Sequence, residues 1–177
     1  MQFIDIGKQY RFLKSEIDAA IHGVLEHGQF IMGPEVKALE QRLAAFAGVK
    51  HALTCSSGTD ALVLPLMAWG IGAGDAVFTT AFSFFATAEA IALVGAEPVF
   101  VDICSDTFNI DPQALAAAVR KTEAEGRLKP KAIIPVDLFG LPADYDELQA
   151  VALEHGLKIL EDAAQGFGGR YKGRVAG

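Results

Sequence analysis

Apolar positions along the chain keep two rhythms that alternate. Nearly unbroken apolar runs at His51–Cys55, Ala76–Thr79, Glu97–Asp102, Lys131–Val136 and Lys158–Leu160 predict buried strands. Between them, apolar residues recur at helical spacing. Ile17, Ala20, Ile21, Val24 and Leu25 predict a helix over Ser15–Glu26, weakly capped by Ser15, and Val36, Leu39, Leu43 and Phe46 predict the next. Further helices are expected over Ala61–Trp69, Ala86–Val94, from Asp111-Pro112 through Val119, and over Asp144–His155.

Punctuation agrees with these spans. Pro34 and Pro112 stand where helices open, and Gly48 and Gly156 stand where helices close. Residues 1–13 show no clear period and are expected to form an arm; Thr122–Lys129 reads as a charged, solvated connection. Pro65 falls inside a helical pattern, where a missing N–H and a ring clash cost about 3 kcal/mol, so a kink is expected there. The glycines of Gly70–Gly74 precede a strand instead of following one, which marks a helix stop and turn, not a dinucleotide loop. Strand and helix alternate throughout, and the crossovers are long enough to require parallel pairing. The expected fold is α/β: a three-layer, mostly parallel sheet with helices on both faces, in a single domain over 1–177.

Composition narrows the function. With 177 residues and 51% hydrophobic content, one sizeable core is expected. A net charge of −7 without basic clusters argues against a nucleic-acid or anionic-membrane partner. The most apolar stretch, Ala81–Ala96, is shorter than the roughly 20 residues of a span and carries Glu89; it reads as a buried helix. Cys55 and Cys104 have no CxxC spacing, and the amino terminus lacks the pattern of a signal peptide, so a reducing, cytoplasmic setting is expected. His22 and His27 flank a helix without a third ligand, as surface histidines do.

The chemistry gathers where strands end. Lys158-Ile159-Leu160 breaks at Glu161-Asp162, followed by Ala163-Ala164-Gln165-Gly166. In open α/β sheets ligands collect at the carboxyl ends of strands, which aims Asp162 at a crevice. Asp162 there can cap a helix start, or can sit against a heteroaromatic ring nitrogen and keep it protonated, as pyridoxal phosphate requires. Ser57-Gly58-Thr59 between a strand and a helix fits a phosphate cradle of free N–H groups, or an ordinary capped helix. Phe84 follows a strand and can stack on a planar cofactor or pack in the core. Phe30-Ile31-Met32, between two helices, can staple them together or line a pocket mouth. Asp102 and Asp137, also at strand ends, read as loop and cap carboxylates.

Three segments in this order, Ser57-Gly58-Thr59-Asp60-Ala61-Leu62, Ser83-Phe84-Phe85-Ala86-Thr87-Ala88-Glu89-Ala90 and Glu161-Asp162-Ala163-Ala164-Gln165, resemble the DegT/StrS-type nucleotide-sugar aminotransferases. Phe3-Ile4-Asp5 and Phe30–Val36 fit as well, so the likeness covers essentially the whole chain. The resemblance implies the aspartate-aminotransferase fold and pyridoxal 5′-phosphate. It implies that Ser57, Gly58 and Thr59 hold the cofactor phosphate, Phe84 stacks on the ring, Asp162 pairs with the ring nitrogen and Gln165 bonds the 3′-oxygen. Phe30, Ile31 and Met32 would lie near the sugar.

The implied reaction moves an amino group from glutamate to a nucleotide-linked keto-sugar, in polysaccharide or natural-product sugar synthesis, by a homodimer. Within the family the likeness is greatest to members acting at C3 of a UDP-linked 2-acetamido-3-keto-hexuronic acid. The resemblance also implies a lysine that carries the cofactor, beyond Gln165 and beyond Gly177. Lys131 and Lys158 stand at strand starts, the wrong end of the sheet, and the other lysines fall on helices or loops. The chain is therefore expected to be the amino-terminal part of the cofactor-binding large domain, with the small domain absent, and inactive alone. A sugar dehydratase of the same family, with histidine replacing that lysine, and a non-catalytic cofactor-binding or regulatory protein are the alternatives.

Overall fold

A computed structural model describes residues 3–177. Helix α1 (Ile6–His27) starts where the Asp5 carboxylate accepts the Lys8 N–H at 2.8 Å and stops at Gly28, which takes the left-handed conformation with φ 65°. Most of the expected arm is thus helix: an aspartate cap satisfies a first-turn donor ten residues ahead of Ser15, which lies inside the helix. Helix α2 (Pro34–Ala47) opens on its proline and closes at Gly48. Neither helix has a buried residue.

His51–Cys55 is not a strand. A strand exists only where a neighbour completes its ladder, and the sheet does not reach this segment. Its polar groups turn to a side chain instead: Thr54 donates its N–H and its hydroxyl to Glu40 Oε1, both at 3.0 Å.

Six further segments build the core. They are α3 (Gly58–Ala68), β1 (Asp75–Thr80), α4 (Phe85–Leu93), β2 (Glu97–Val101), α5 (Pro112–Glu125) and β3 (Lys129–Ile133). After them come α6 (Tyr145–His155), β4 (Lys158–Ile159) and a small antiparallel hairpin of β5 (Arg170–Tyr171) and β6 (Arg174–Val175). The main sheet runs β2-β1-β3-β4, and every pairing in it is parallel.

Side-chain alternation explains the layers. Ala76, Phe78 and Ile133 point to one face, where Leu115 and Val119 of α5 and Leu148 and Ala152 of α6 meet them. Val77, Ala132 and Ile134 point to the other, against Leu62 and Leu66 of α3 and Ala90 and Ile91 of α4. Being buried on both faces is what made these strands read as unbroken apolar runs. The α/β class with helices on both faces is borne out.

One local expectation changes. α5 continues to Glu125, because Thr122 is buried and returns its hydroxyl to Ala118 O at 2.9 Å, so the solvated connection shrinks to the turn at Gly126. Helix α3 passes through Pro65 without a break and ends three residues later at Ala68, so the missing hydrogen bond falls in its last turn. Among the described residues no helix is long and apolar enough to cross a membrane. Ala81–Ala96 holds α4, with Ala86, Thr87, Ala90 and Ile91 buried.

Candidate functional site

The chain leaves β1 for β2 on one side, then crosses back to β3 and β4 on the other. The order reverses between β1 and β3, and in open α/β sheets ligands gather at such a point, at the carboxyl ends of the strands. The segments that follow β1, β3 and β4 meet at this edge.

Asp162 lies just past β4 and forms a parallel bridge with Val136. Its N–H donates to Pro135 O at 2.9 Å and its carbonyl accepts the Asp137 N–H at 3.1 Å, so the sheet itself fixes the backbone. The side chain is 8% exposed. Oδ2 accepts the Thr87 hydroxyl at 2.8 Å, and Oδ1 accepts the Ala164 N–H at 3.3 Å. Because the one Thr87 hydrogen is spent on Asp162, Ser83 Oγ, 3.1 Å from Thr87 Oγ1, must be the donor in that second contact. A relay Ser83, Thr87, Asp162 therefore runs from the turn before α4, through its first turn, to the loop after β4. Each carboxylate oxygen keeps a lone pair for a further donor. No helix follows Asp162, only turns, so capping does not account for its position.

Gln165 accepts the Phe139 N–H on Oε1 at 2.8 Å. That binds it to the turn after β3, Leu138–Gly140, in which Phe139 adopts φ 57° and ψ 15°.

At the start of α3, Ser57 Oγ accepts the Asp60 N–H at 3.1 Å. Among the described residues the N–H groups of Gly58 and Thr59 have no partner, and they sit at the positive end of the helix. A Cβ built on Gly58 meets nothing within 4 Å, so the glycine answers to no crowding from this chain and leaves space for a ligand. Phe84, at the cap position of α4, is 74% exposed with its ring uncovered. Phe30, Ile31 and Met32 are exposed in the loop between α1 and α2. Lys158 lies at the opposite end of β4, its ammonium 5.3 Å from the Trp69 ring centre.

The sequence signals missed a second carboxylate. Asp137 is a fully buried group, not a loop or cap carboxylate. Its Oδ1 accepts the Ala143 N–H at 3.0 Å and the Tyr145 hydroxyl at 2.8 Å, and its Oδ2 has no partner among the described residues. Burial pushes the Tyr145 hydroxyl far above its usual range, with the charge of Asp137 adding to it, so Tyr145 stays a donor. Glu161, beside them, is pushed up to about 7, first by burial and then by Asp137. Asp102, by contrast, is exposed; its carboxylate accepts the N–H of Ile103 and its main-chain oxygen the N–H of Asp111. Thr87 was equally hidden: it sits inside an apolar helix, and nothing local foretells a bond to a residue 75 positions away.

A parallel four-stranded sheet flanked by helices, with free helix-start N–H groups, an exposed aromatic ring and a buried carboxylate in the segments that follow its strands, is the α/β fold of the pyridoxal-phosphate-dependent aminotransferases. Within that class the chain belongs to the DegT/DnrJ/EryC1/StrS aminotransferase family, whose profile matches residues 12–177.

The chain is 50% identical over 174 residues to the UDP-2-acetamido-2-deoxy-3-oxo-D-glucuronate aminotransferase of Pseudomonas aeruginosa, covering 98% of this chain and 46% of that protein. It superposes with a TM-score of 0.97 and 52% identity on the crystal structure of a DegT DnrJ EryC1 StrS aminotransferase from Brucella abortus, over 100% of this chain and 48% of the other. Bacillus subtilis NtdA, solved with bound cofactor PMP, matches with a TM-score of 0.77 and 34% identity over 86% of this chain and 33% of its own. The chain spans about half the length of the curated relatives it matches.

Proposed function

We propose that this chain is the cofactor-binding front of a pyridoxal-phosphate-dependent aminotransferase that moves an amino group from glutamate to a keto-sugar carried on a nucleoside diphosphate. The observation that carries this reading is the Asp162 carboxylate, buried at the sheet's carboxyl edge and held by Thr87 with lone pairs still open.

The residues present fit the cofactor. The Gly58 and Thr59 N–H groups and the Thr59 hydroxyl would bind its phosphate, with Ser57 ordering the helix start. Phe84 would cover one face of the ring. Asp162 would hold a proton on the ring nitrogen, and Gln165 would bond the ring oxygen. The bound cofactor supplies an electron sink at the carbon that exchanges the amino group.

A UDP-linked 2-acetamido-3-keto-hexuronic acid is the substrate favoured by the likeness to the Pseudomonas aeruginosa enzyme. Phe30, Ile31 and Met32 are proposed to lie near that sugar. The remainder of the large domain, the small domain and the lysine that carries the cofactor are assigned to the rest of the protein, which is proposed to be a cytoplasmic homodimer acting in polysaccharide synthesis. The isolated chain is accordingly proposed to bind but not to turn over.

Pyridoxamine phosphate brings its own amine and needs no lysine, so it tests the site in this chain directly. Saturable binding is expected, weakened by Asp162→Ala. In the complete enzyme, Asp162→Ala should slow the release of 2-oxoglutarate from glutamate while the cofactor stays bound. Normal turnover by that loaded variant would sink the role given to Asp162.

A further inference from the structure

Which end of the Gln165 carboxamide faces the ligand decides whether it donates or accepts. A carboxamide is nearly symmetric in shape, so an exposed glutamine leaves the choice open. Here a backbone group removes it. The Phe139 N–H can only donate, and it lies 2.8 Å from the side-chain oxygen of Gln165. With Oε1 so engaged, the outward end is the NH2 group.

The turn that presents this N–H is firmly placed. Its first residue follows Asp137, whose N–H bonds Asp162 O at 3.1 Å, and Gly140 N–H returns to Asp137 O at 3.2 Å. The Leu141 N–H closes the turn on Leu138 O at 3.2 Å. Gly140, at φ 88°, leaves the room next to the Gln165 backbone, where a Cβ would stand 3.4 Å from Gln165 O. Phe139 itself stands in the left-handed region, at about 1–2 kcal/mol for an L-residue. Its ring is held edge-on to Phe82 at 6.3 Å and to Phe108 at 6.1 Å, which opposes relaxation of the turn. Asp162 and Gln165 are thus tied to one turn by two hydrogen bonds, one from each end of their loop.

We propose that Phe139 is a positioning residue: its main-chain N–H, held by the left-handed turn 138–140, fixes Gln165 as a hydrogen-bond donor toward the ligand's ring oxygen. A donor there stabilises the ionised oxygen of a hydroxypyridine and disfavours its protonated form. The inference rests on the cofactor reading above, and two measurements separate them.

The first uses the ligand-free chain: exchange of the Phe139 amide hydrogen, followed by NMR. Protection is expected in the wild type and in Gln165→Glu, whose carboxylate can still accept, and its loss is expected in Gln165→Ala. Equal exchange in all three would overturn the proposal.

The second titrates the ring hydroxyl of bound pyridoxamine phosphate by its absorption. In Gln165→Glu the outward NH2 becomes an oxygen, so the ionisation should move up by about one pH unit or more, as for a like charge at contact distance. A merely structural role for Phe139 and Gln165 would leave that titration in place, and an unchanged titration would refute the assigned donor. If the wild type does not bind pyridoxamine phosphate at all, the cofactor reading falls and takes the ligand-directed half of this proposal with it, while the exchange result stands separately.

Discussion

Glu161, half-buried near the buried Asp137, makes stability depend on pH in a direction opposite to most paired carboxylates. Glu161 ordinarily ionises near 4.5 and is pushed up to about 7 in the folded chain by burial and by Asp137. The folded state therefore binds a proton that the unfolded state has released. The unfolding free energy falls with pH wherever the native state holds more protons, so the contribution is complete below about 4.5 and is lost as pH rises through about 7. A displacement from 4.5 to about 7 corresponds to about 3 kcal/mol at the 1.36 kcal/mol carried by each pH unit. Glu161 is only half-buried, so solvent screening sets this as an upper value.

Glu161→Gln isolates the effect. The amide keeps the shape and cannot ionise. Urea denaturation of both chains at intervals from pH 5 to pH 8 is the assay. The wild type should lose up to about 3 kcal/mol across that range and the variant should lose much less, so that the variant is the more stable at pH 8. Acids held below their usual range, such as Asp144 beside the Tyr171 hydroxyl and Glu97 beside Arg127, change protonation only at lower pH and cancel in the comparison. Parallel pH profiles for the two chains would refute the raised ionisation of Glu161 in the folded state.

Two other substitutions probe the same edge. Gly166→Ala would place a Cβ 2.5 Å from Asp137 Cβ and 2.9 Å from its Oδ2, against a side chain with nowhere to move, and should destabilise the chain by about 1–3 kcal/mol in urea unfolding. Thr87→Val keeps the shape but removes the donor to Asp162; a loss of about 1.5–3 kcal/mol is expected, as for a hydrogen bond to a charged group, together with weaker pyridoxamine phosphate binding. Unchanged affinity in a folded Thr87→Val chain would detach that hydroxyl from the site.

The fold was legible because its strands are buried on both faces and its helices are punctuated. Ala76–Thr79 needed no partner to be recognised: its residues are apolar or threonine, and both faces of the sheet are covered. Gly48 and Gly156 mark helix ends because both take the left-handed conformation there. What failed was whatever depended on a remote neighbour. His51–Cys55 has the residues of a strand, yet only a ladder makes one. Thr122 looked like solvated chain because its burial comes from packing, not from its neighbours in sequence. The arm was misread for a different reason: one Asp5 side chain, capping Lys8, carries a helix through a stretch whose apolar residues face no core.

The same division runs through the site. Asp162, Gln165, Gly58 and Phe84 sit in short local patterns, so the residues could be singled out, but their sequence neighbours say nothing of what orients them. Orientation comes from Thr87, which follows β1, and from Asp137 and Phe139, which both follow β3, each looking ordinary in its own segment. Because β3 lies between β1 and β4, the loop after β4 must be braced from two sides: by the Thr87 hydroxyl reaching from α4, and by two N–H groups of the turn after β3. A carboxylate and a carboxamide so braced lose their rotational freedom before any ligand arrives, and that cost is not charged to binding. The strained turn at Phe139 and the crowded Gly166 then follow from one requirement, that the segment after β3 and the loop after β4 approach within hydrogen-bond reach of each other. Relaxing either residue should loosen both Asp162 and Gln165 together, which makes the edge a single unit instead of a set of independent contacts.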